Sequence, residues 1–158
     1  MRSLPLILST AAVTATGVIG SRATDTESDW YRSLAKPDWQ PPAVAFPVVW
    51  TALYATIAGA TAKAYGHLPA EQRAGYVRAV LVNLSLNAGW CWLFFRSRQP
   101  WVAALGAALL AISSIRLAIR SGRHSRAAGA WLVPYALWTC FATVLSTDIA
   151  ARNPDAAA

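Results

Sequence analysis

The chain has 158 residues, of which 56% are apolar and only 13% are charged. A soluble domain carries about 25% charged residues, so there are too few here to solvate the whole exterior of a body this size, and part of that exterior is expected to face lipid. The net charge of +7 is dispersed between apolar runs and forms no basic stripe, which argues against a nucleic-acid partner.

The first apolar segment runs from about Leu4 to Ser21. Its basic start, apolar middle and small residues fit a secretory signal peptide as well as a membrane helix. The SRATD that follows is a poor cleavage site. A polar connection, residues 22–43, comes next and holds WYRSLAKPDWQPP, Trp30 to Pro42. Four more apolar segments follow, at about 44–65, 77–95, 101–119 and 129–149. Gly66-His67-Leu68-Pro69, the RSRQP of Arg96 to Pro100, and the RSGRHSR of Arg120 to Arg126 separate them. Each segment is close to the ~20 residues with which an α-helix crosses about 30 Å of hydrocarbon. Lipid offers no partner to free backbone amides, so the spans must be helical. The chain therefore reads as all-α, a single membrane domain over 1–158 built as a bundle of five transmembrane helices in a lipid bilayer. The short connections suggest that successive helices are antiparallel neighbours.

Charge sets the orientation. Arg2, Lys63, Arg73, Arg78, Arg116, Arg120, Arg123 and Arg126 fall on one side, opposed only by Glu71. The other side balances its basic and acidic residues, from Arg22 and Asp25 to Arg152 and Asp155. The positive-inside rule then puts the N-terminus in the cytoplasm and the first long connection outside. The Ala/Arg-rich composition points to a bacterial cell membrane.

Little in the sequence suggests hydrolytic or group-transfer chemistry. There is no Ser/His/Asp arrangement, no pair of carboxylates and no phosphate-cradling Gly loop. Cys91 and Cys140 lie in apolar runs as small hydrophobes, His67 and His124 lie in polar connections, and no metal site is expected. No Asp or Glu sits in the middle of a span, which argues against a proton-coupled transporter. Asn83 and Asn87 share one face of the third span, where an amide either bonds a neighbouring helix or meets a ligand. Small residues recur four apart at Ala55/Gly59, Ser85/Gly89 and Ala103/Ala107/Ala111, a spacing that serves packing within the bundle or a dimer seam. Of the eight tryptophans, Trp101 and Trp131 sit at span edges as interfacial anchors. Trp50, Trp90 and Trp138 lie deeper, and rings around a cavity suit a flat, conjugated, sterol-like or porphyrin-like ligand.

Four blocks carry a family resemblance: WYRSLAKPDWQPP (30–42), FPVVWTALY (46–54), LSLNAGWCWLFF (84–95) and PYALWTCFATVLS (134–146). In content, order and spacing they resemble the TspO/MBR family of translocator and tryptophan-rich sensory proteins. That resemblance covers nearly the whole chain. It implies a five-helix bundle, often a homodimer, with a pocket open toward the first connection, and it favours a retained first helix. It also implies a receptor or sensor binding porphyrin-type molecules, protoporphyrin IX and haem, as ligands, with no obligatory cofactor. Some bacterial members degrade porphyrin in light, and the two tryptophans implicated map onto Trp50 and Trp138. Asn87 and Ala142 map onto pocket-lining positions, and Tyr54, Asn83 and Trp90 are counted with the ligand-binding set.

On this reading WYRSLAKPDWQPP is a lid. Pro37, Pro41 and Pro42 limit its backbone freedom, and Trp30, Tyr31 and Trp39 cover the ligand. A loop that only caps the bundle is the competing reading. Departures from the family pattern are Ser146 in place of an asparagine, Asn83 in place of a frequent glutamine, and a fourth span with no acid. The TDIAAR after Ser146 lacks the tyrosine of the mitochondrial cholesterol motif, so sterol binding through that motif is not expected. Transport of porphyrins or other apolar ligands is the alternative to sensing.

Overall fold

A computed structural model describes residues 3–156 of the chain. Arg2, counted above with the basic side, lies outside the described residues. Six helices occur among them: α1 (Ser3–Ala23), α2 (Asp29–Ser33), α3 (Ala45–His67), α4 (Ala70–Phe95), α5 (Pro100–His124) and α6 (Arg126–Arg152). All but α2 are long and apolar enough to cross a membrane.

The helices run past the apolar segments. α4 begins at Ala70, seven residues ahead of Val77, and α5 and α6 are parted by Ser125 alone. Hydropathy marks only the stretch that faces hydrocarbon, whereas the helix continues into the headgroup layer, where Glu71, Arg73 and Arg123 are solvated. Local chemistry sets the ends. Pro69, which lacks an N–H to donate, stands at the start of α4, and Pro100 occupies the first turn of α5. The Ser125 hydroxyl caps α6 by accepting from Ala128 N at 3.4 Å.

The five long helices form a closed ring in the order α1, α3, α6, α5, α4 and back to α1. Short connections do make neighbours of α4 and α5 and of α5 and α6. They do not make neighbours of α3 and α4, which diverge from the Leu68–Pro69 link because α1 packs between them. The N-terminal helix is thereby part of the ring.

On α5 small residues dominate the inward face, with Leu110 and Leu117 buried among them. On α5, Ala103, Ala104, Gly106, Ala107, Ala111 and Ser114 face inward, while Leu105, Leu109, Ile112 and Ile119 face out. Lipid tails are as apolar as leucine, so burying large side chains gains little there, and helices associate through close backbone approach instead. The closest approach joins α5 to α6. A Cβ added to Gly129 would stand 2.6 Å from Gly122 Cα, a distance no side chain tolerates. The Ala103/Ala107/Ala111 row is buried in this packing, whereas Ser85 is exposed and a Cβ on Gly89 would meet open space.

Candidate functional site

The long first connection folds over one end of the ring. Ser28 caps α2 by accepting from Tyr31 N at 3.3 Å, and this single turn presents Trp30 and Tyr31 to the end of α4. Trp30 stands edge-on to Phe94 with centroids 5.8 Å apart. Tyr31 lies 6.2 Å from Phe94 and 5.4 Å from Phe95. Leu34 and Pro37 are buried beside them.

The loop is tied to the C-terminal end of α6. Ala35 N donates to Asn153 Oδ1 at 2.9 Å, and Asn153 Nδ2 donates back to Ala35 O at 2.9 Å. Trp30 Nε1 donates to Ala156 O at 3.1 Å, and Trp39 Nε1 donates to Asp148 Oδ2 at 3.2 Å. Lys36 Nζ lies 4.4 Å from the centre of the Tyr31 ring and donates to the carbonyls of Tyr31 and Leu34. Loss of hydration there lowers its pKa from the usual lysine value.

Beneath the loop the rings continue inward. Trp90 stacks on Phe94 at 5.5 Å. Trp39 meets Phe141 at 5.8 Å, Phe141 meets Trp138 at 5.1 Å, and Trp138 meets Phe46 at 5.9 Å. Deeper, Trp50 packs on Tyr54 at 5.5 Å and on Tyr135 at 6.3 Å. Trp138, Phe141, Ala142, Leu145 and Ile149 fall on one face of α6 by their spacing of three and four.

A polar floor closes this column. The Tyr54 hydroxyl donates to Asn87 Oδ1 at 2.9 Å, and Asn87 Nδ2 donates to the Tyr135 hydroxyl at 3.2 Å. Tyr135 donates in turn to Asn83 Oδ1 at 2.9 Å. Asn83 Nδ2 donates to Ser113 Oγ and Ser114 Oγ, each at 3.1 Å. One chain of hydrogen bonds therefore joins α3, α4, α6 and α5 through neutral groups, each satisfied by the next. Asn83 is fully buried, with both amide groups committed to protein partners. Asn87 lies nearer the rings, beside the Tyr54 on which Trp50 packs.

Two buried polar atoms among the described residues have no partner: Trp90 Nε1 and Gln40 Oε1. Gln40 spends its amide nitrogen on the Tyr31 hydroxyl at 3.3 Å. The Trp90 ring stacks on Phe94 with its Cδ1 edge turned toward Gly106 of α5, and Gln40 is bonded to Tyr31, so this donor and this acceptor border the aromatic cluster. No group of three His, Cys, Asp or Glu able to hold a metal occurs among the described residues. Such an arrangement can stack on a flat apolar molecule and offer it a few oriented hydrogen bonds.

Trp30, Tyr31, Trp39 and Trp90 lie at the loop, Trp50, Tyr54 and Trp138 pack on one core cluster below, and Ala142 is one turn beyond Trp138 on α6. Sequence reasoning missed Phe94, which touches Trp30, Tyr31, Trp90 and Phe95. It also missed Phe46, Phe141, Tyr135 and the two serines. Phe94 carried a usable signal, since it lies four residues from Trp90 and so on the same helix face.

Comparison with known proteins agrees with this architecture. A model of the TspO/MBR family matches residues 9–152. The chain is 35% identical over 154 residues to the tryptophan-rich protein TspO of Chlorobaculum tepidum, covering 96% of this chain and 97% of that one. It is 35% identical over 127 residues to an uncharacterized membrane protein, YtaB, of Bacillus subtilis, covering 80% and 82% of the two chains. It is 31% identical over 137 residues to the translocator protein of Homo sapiens, covering 81% and 78%.

Proposed function

This chain belongs to the TspO/MBR family of integral membrane proteins, and from that premise we propose that it is a receptor for tetrapyrroles such as protoporphyrin IX and haem. The ligand is held in the tryptophan-lined site beneath the first connection. The carrying observation is the run of aromatic rings beneath the first connection, bordered by the buried, unpartnered Trp90 Nε1. Rings supply stacking and apolar burial, at roughly 25 cal/mol per Å2, so a porphyrin losing several hundred Å2 to the site binds at about micromolar. The indole N–H would donate to a polar edge of the ligand. Trp30, Tyr31 and Trp39 act as the cover, with Trp50, Trp138, Tyr54, Asn87 and Ala142 beneath and Asn83 supporting them.

The Ala/Arg-rich composition supports a bacterial cell membrane, and the charge pattern supports a cytoplasmic N-terminus with the site opening outside. Binding is favoured over proton-driven transport because the buried polar groups are threonines, serines and asparagines, with no buried acid or base among the described residues. The chain of Trp50, Tyr54 and Tyr135, with centroid steps of 5.5 and 6.3 Å from Trp50, favours a second reading, light-dependent porphyrin degradation. The two readings part in light and air, where only the second consumes the ligand.

The test of binding is equilibrium dialysis of protoporphyrin IX in the dark against wild-type protein and Trp90→Phe. Phenylalanine keeps the ring and removes the donor. Affinity is expected to fall about tenfold, the worth of a hydrogen bond to a charged or strongly polar group. Equal affinity in the two proteins would remove Trp90 Nε1 from the site.

A further inference from the structure

The outer side of α4 carries two open, shallow depressions that share Arg78 and Leu81. The first, about 690 Å3, is lined by Tyr65, Arg73, Val77, Arg78 and Leu81, where α3 and α4 diverge. The second, about 400 Å3, continues from Arg78 and Leu81 past Val82, Ser85 and Gly89 to Leu93, against Gly106 and Leu109 of α5. Together they make one groove. Its line Arg73, Val77, Leu81, Ser85, Gly89 and Leu93 steps by four residues, the inclined row that winds around a helix.

One end of this groove is basic and the rest is apolar. No ion pair among the described residues involves Arg73 or Arg78. Arg73 stacks 5.2 Å from the Tyr65 ring and donates to Leu68 O at 3.2 Å, which holds its guanidinium at the mouth. Arg78 is exposed and makes no side-chain hydrogen bond among the described residues. Arg120 of α5 is turned to Gly75 O and the Tyr76 ring, and adds positive charge at the same end. Glu71 is the acid of the first turn of α4. Beyond the mouth, Leu81 and Val82 are exposed, as is Leu109 opposite. A leucine or valine side chain at Gly89 would meet no atom of this chain at its Cβ, so the groove floor is open there. From Arg78 to Leu93 it extends about 22 Å along the helix, more than the ~15 Å depth of one leaflet of a ~30 Å hydrocarbon core.

We propose that this groove is a binding site for one anionic phospholipid, its phosphate between Arg73 and Arg78 and an acyl chain along Leu81, Ser85, Gly89 and Leu93. Charge complementarity selects the occupant. An unpaired arginine at the rim of an apolar, membrane-facing groove is matched by a molecule with an anionic head and a hydrocarbon tail. The site lies outside the aromatic enclosure and faces the bilayer.

The experiment is intact-mass spectrometry under non-denaturing conditions, on the full chain in micelles holding equal phosphatidylglycerol and phosphatidylcholine of matched chains. One phosphatidylglycerol per chain is expected to be retained in preference to phosphatidylcholine. Arg78→Gln should lower that preference about fivefold, the share of one basic residue. Gly89→Leu should lower retention of both lipids by occupying the floor, with the preference between them unchanged. Circular dichroism checks that both variants keep the helical content of the wild type. If Arg78→Gln lowers helix content, Arg73→Gln replaces it as the test of charge. Equal retention of the two lipids, or a preference that survives loss of either arginine, would overturn the proposal. So would a lipid-free dimer that Gly89→Leu dissociates, since the groove would then seat a second copy of the chain.

Discussion

Tyr135 shows how much a single hydroxyl can organise. It donates to Asn83 and accepts from Asn87, and it lies under Trp50. Removing it as Tyr135→Phe leaves Asn83 Oδ1 and Asn87 Nδ2 without those partners in the buried interior. The ring and its packing stay. A loss of about 1–3 kcal/mol is expected, read as a lower midpoint in thermal unfolding, and an unchanged midpoint would mean that the amides find other partners. The two asparagines were visible in the sequence because an amide in a span demands an explanation, and their spacing of four put them on one face. Their partners were not visible. Ser113, Ser114 and Tyr135 lie on other helices, and their rotation toward α4 depends on packing that no local pattern encodes. From sequence alone Asn83 therefore fits either a helix contact or a ligand contact. Its full burial and committed amide groups make it part of the floor.

At the scale of elements, the first connection is a structured cover. The prolines and aromatic residues of WYRSLAKPDWQPP already indicated a fixed shape, and α2 with its Ser28 cap shows how the shape begins. No local pattern indicates what the cover fastens to. Asn153, beyond the last apolar segment, makes two bonds to Ala35 and a third to Ile149 O at 2.7 Å. A clamp of this kind, set in water at the rim of the membrane, is suited to opening, because solvent replaces each bond that breaks. Asn153→Ala removes both bonds to the loop. Opening is expected to become about thirtyfold more frequent, at roughly 1 kcal/mol for each of the two hydrogen bonds, seen as faster amide hydrogen exchange of residues 28–40. Unaltered exchange would mean that Trp30, Tyr31 and Leu34 hold the loop without the clamp. The spans themselves were legible, since five apolar runs of near-membrane length leave few choices. Their polar extensions at Ala70 and around Ser125 were not, because a hydropathy pattern ends where hydrocarbon ends.

The whole molecule is a ring of five helices with a mixed interior of small residues, leucines and tyrosines, and with many large apolar residues facing outward. Membership of a membrane family and the burial pattern agree, because only lipid tolerates so many outward leucines and isoleucines. The order of helices around the ring could not be read from the connections. α3 and α4 are joined by two residues, yet α1 stands between them, so chain order misleads where a distant helix fills the angle. This arrangement brings the ends of α4 and α6, and the start of α3, together beneath the first connection, and the deep tryptophans of three separate blocks meet there. Ring order also leaves the outer side of α4 uncovered by the other helices of this chain.

The central claim is that this aromatic column binds a tetrapyrrole. It is tested most directly by titrating the purified protein with protoporphyrin IX in the dark and following tryptophan quenching, beside a Trp50→Phe/Trp138→Phe double variant. Saturable quenching at about micromolar porphyrin, weakened in the double variant, is the predicted result. Quenching that never saturates, from protein whose helical content is intact, would contradict it.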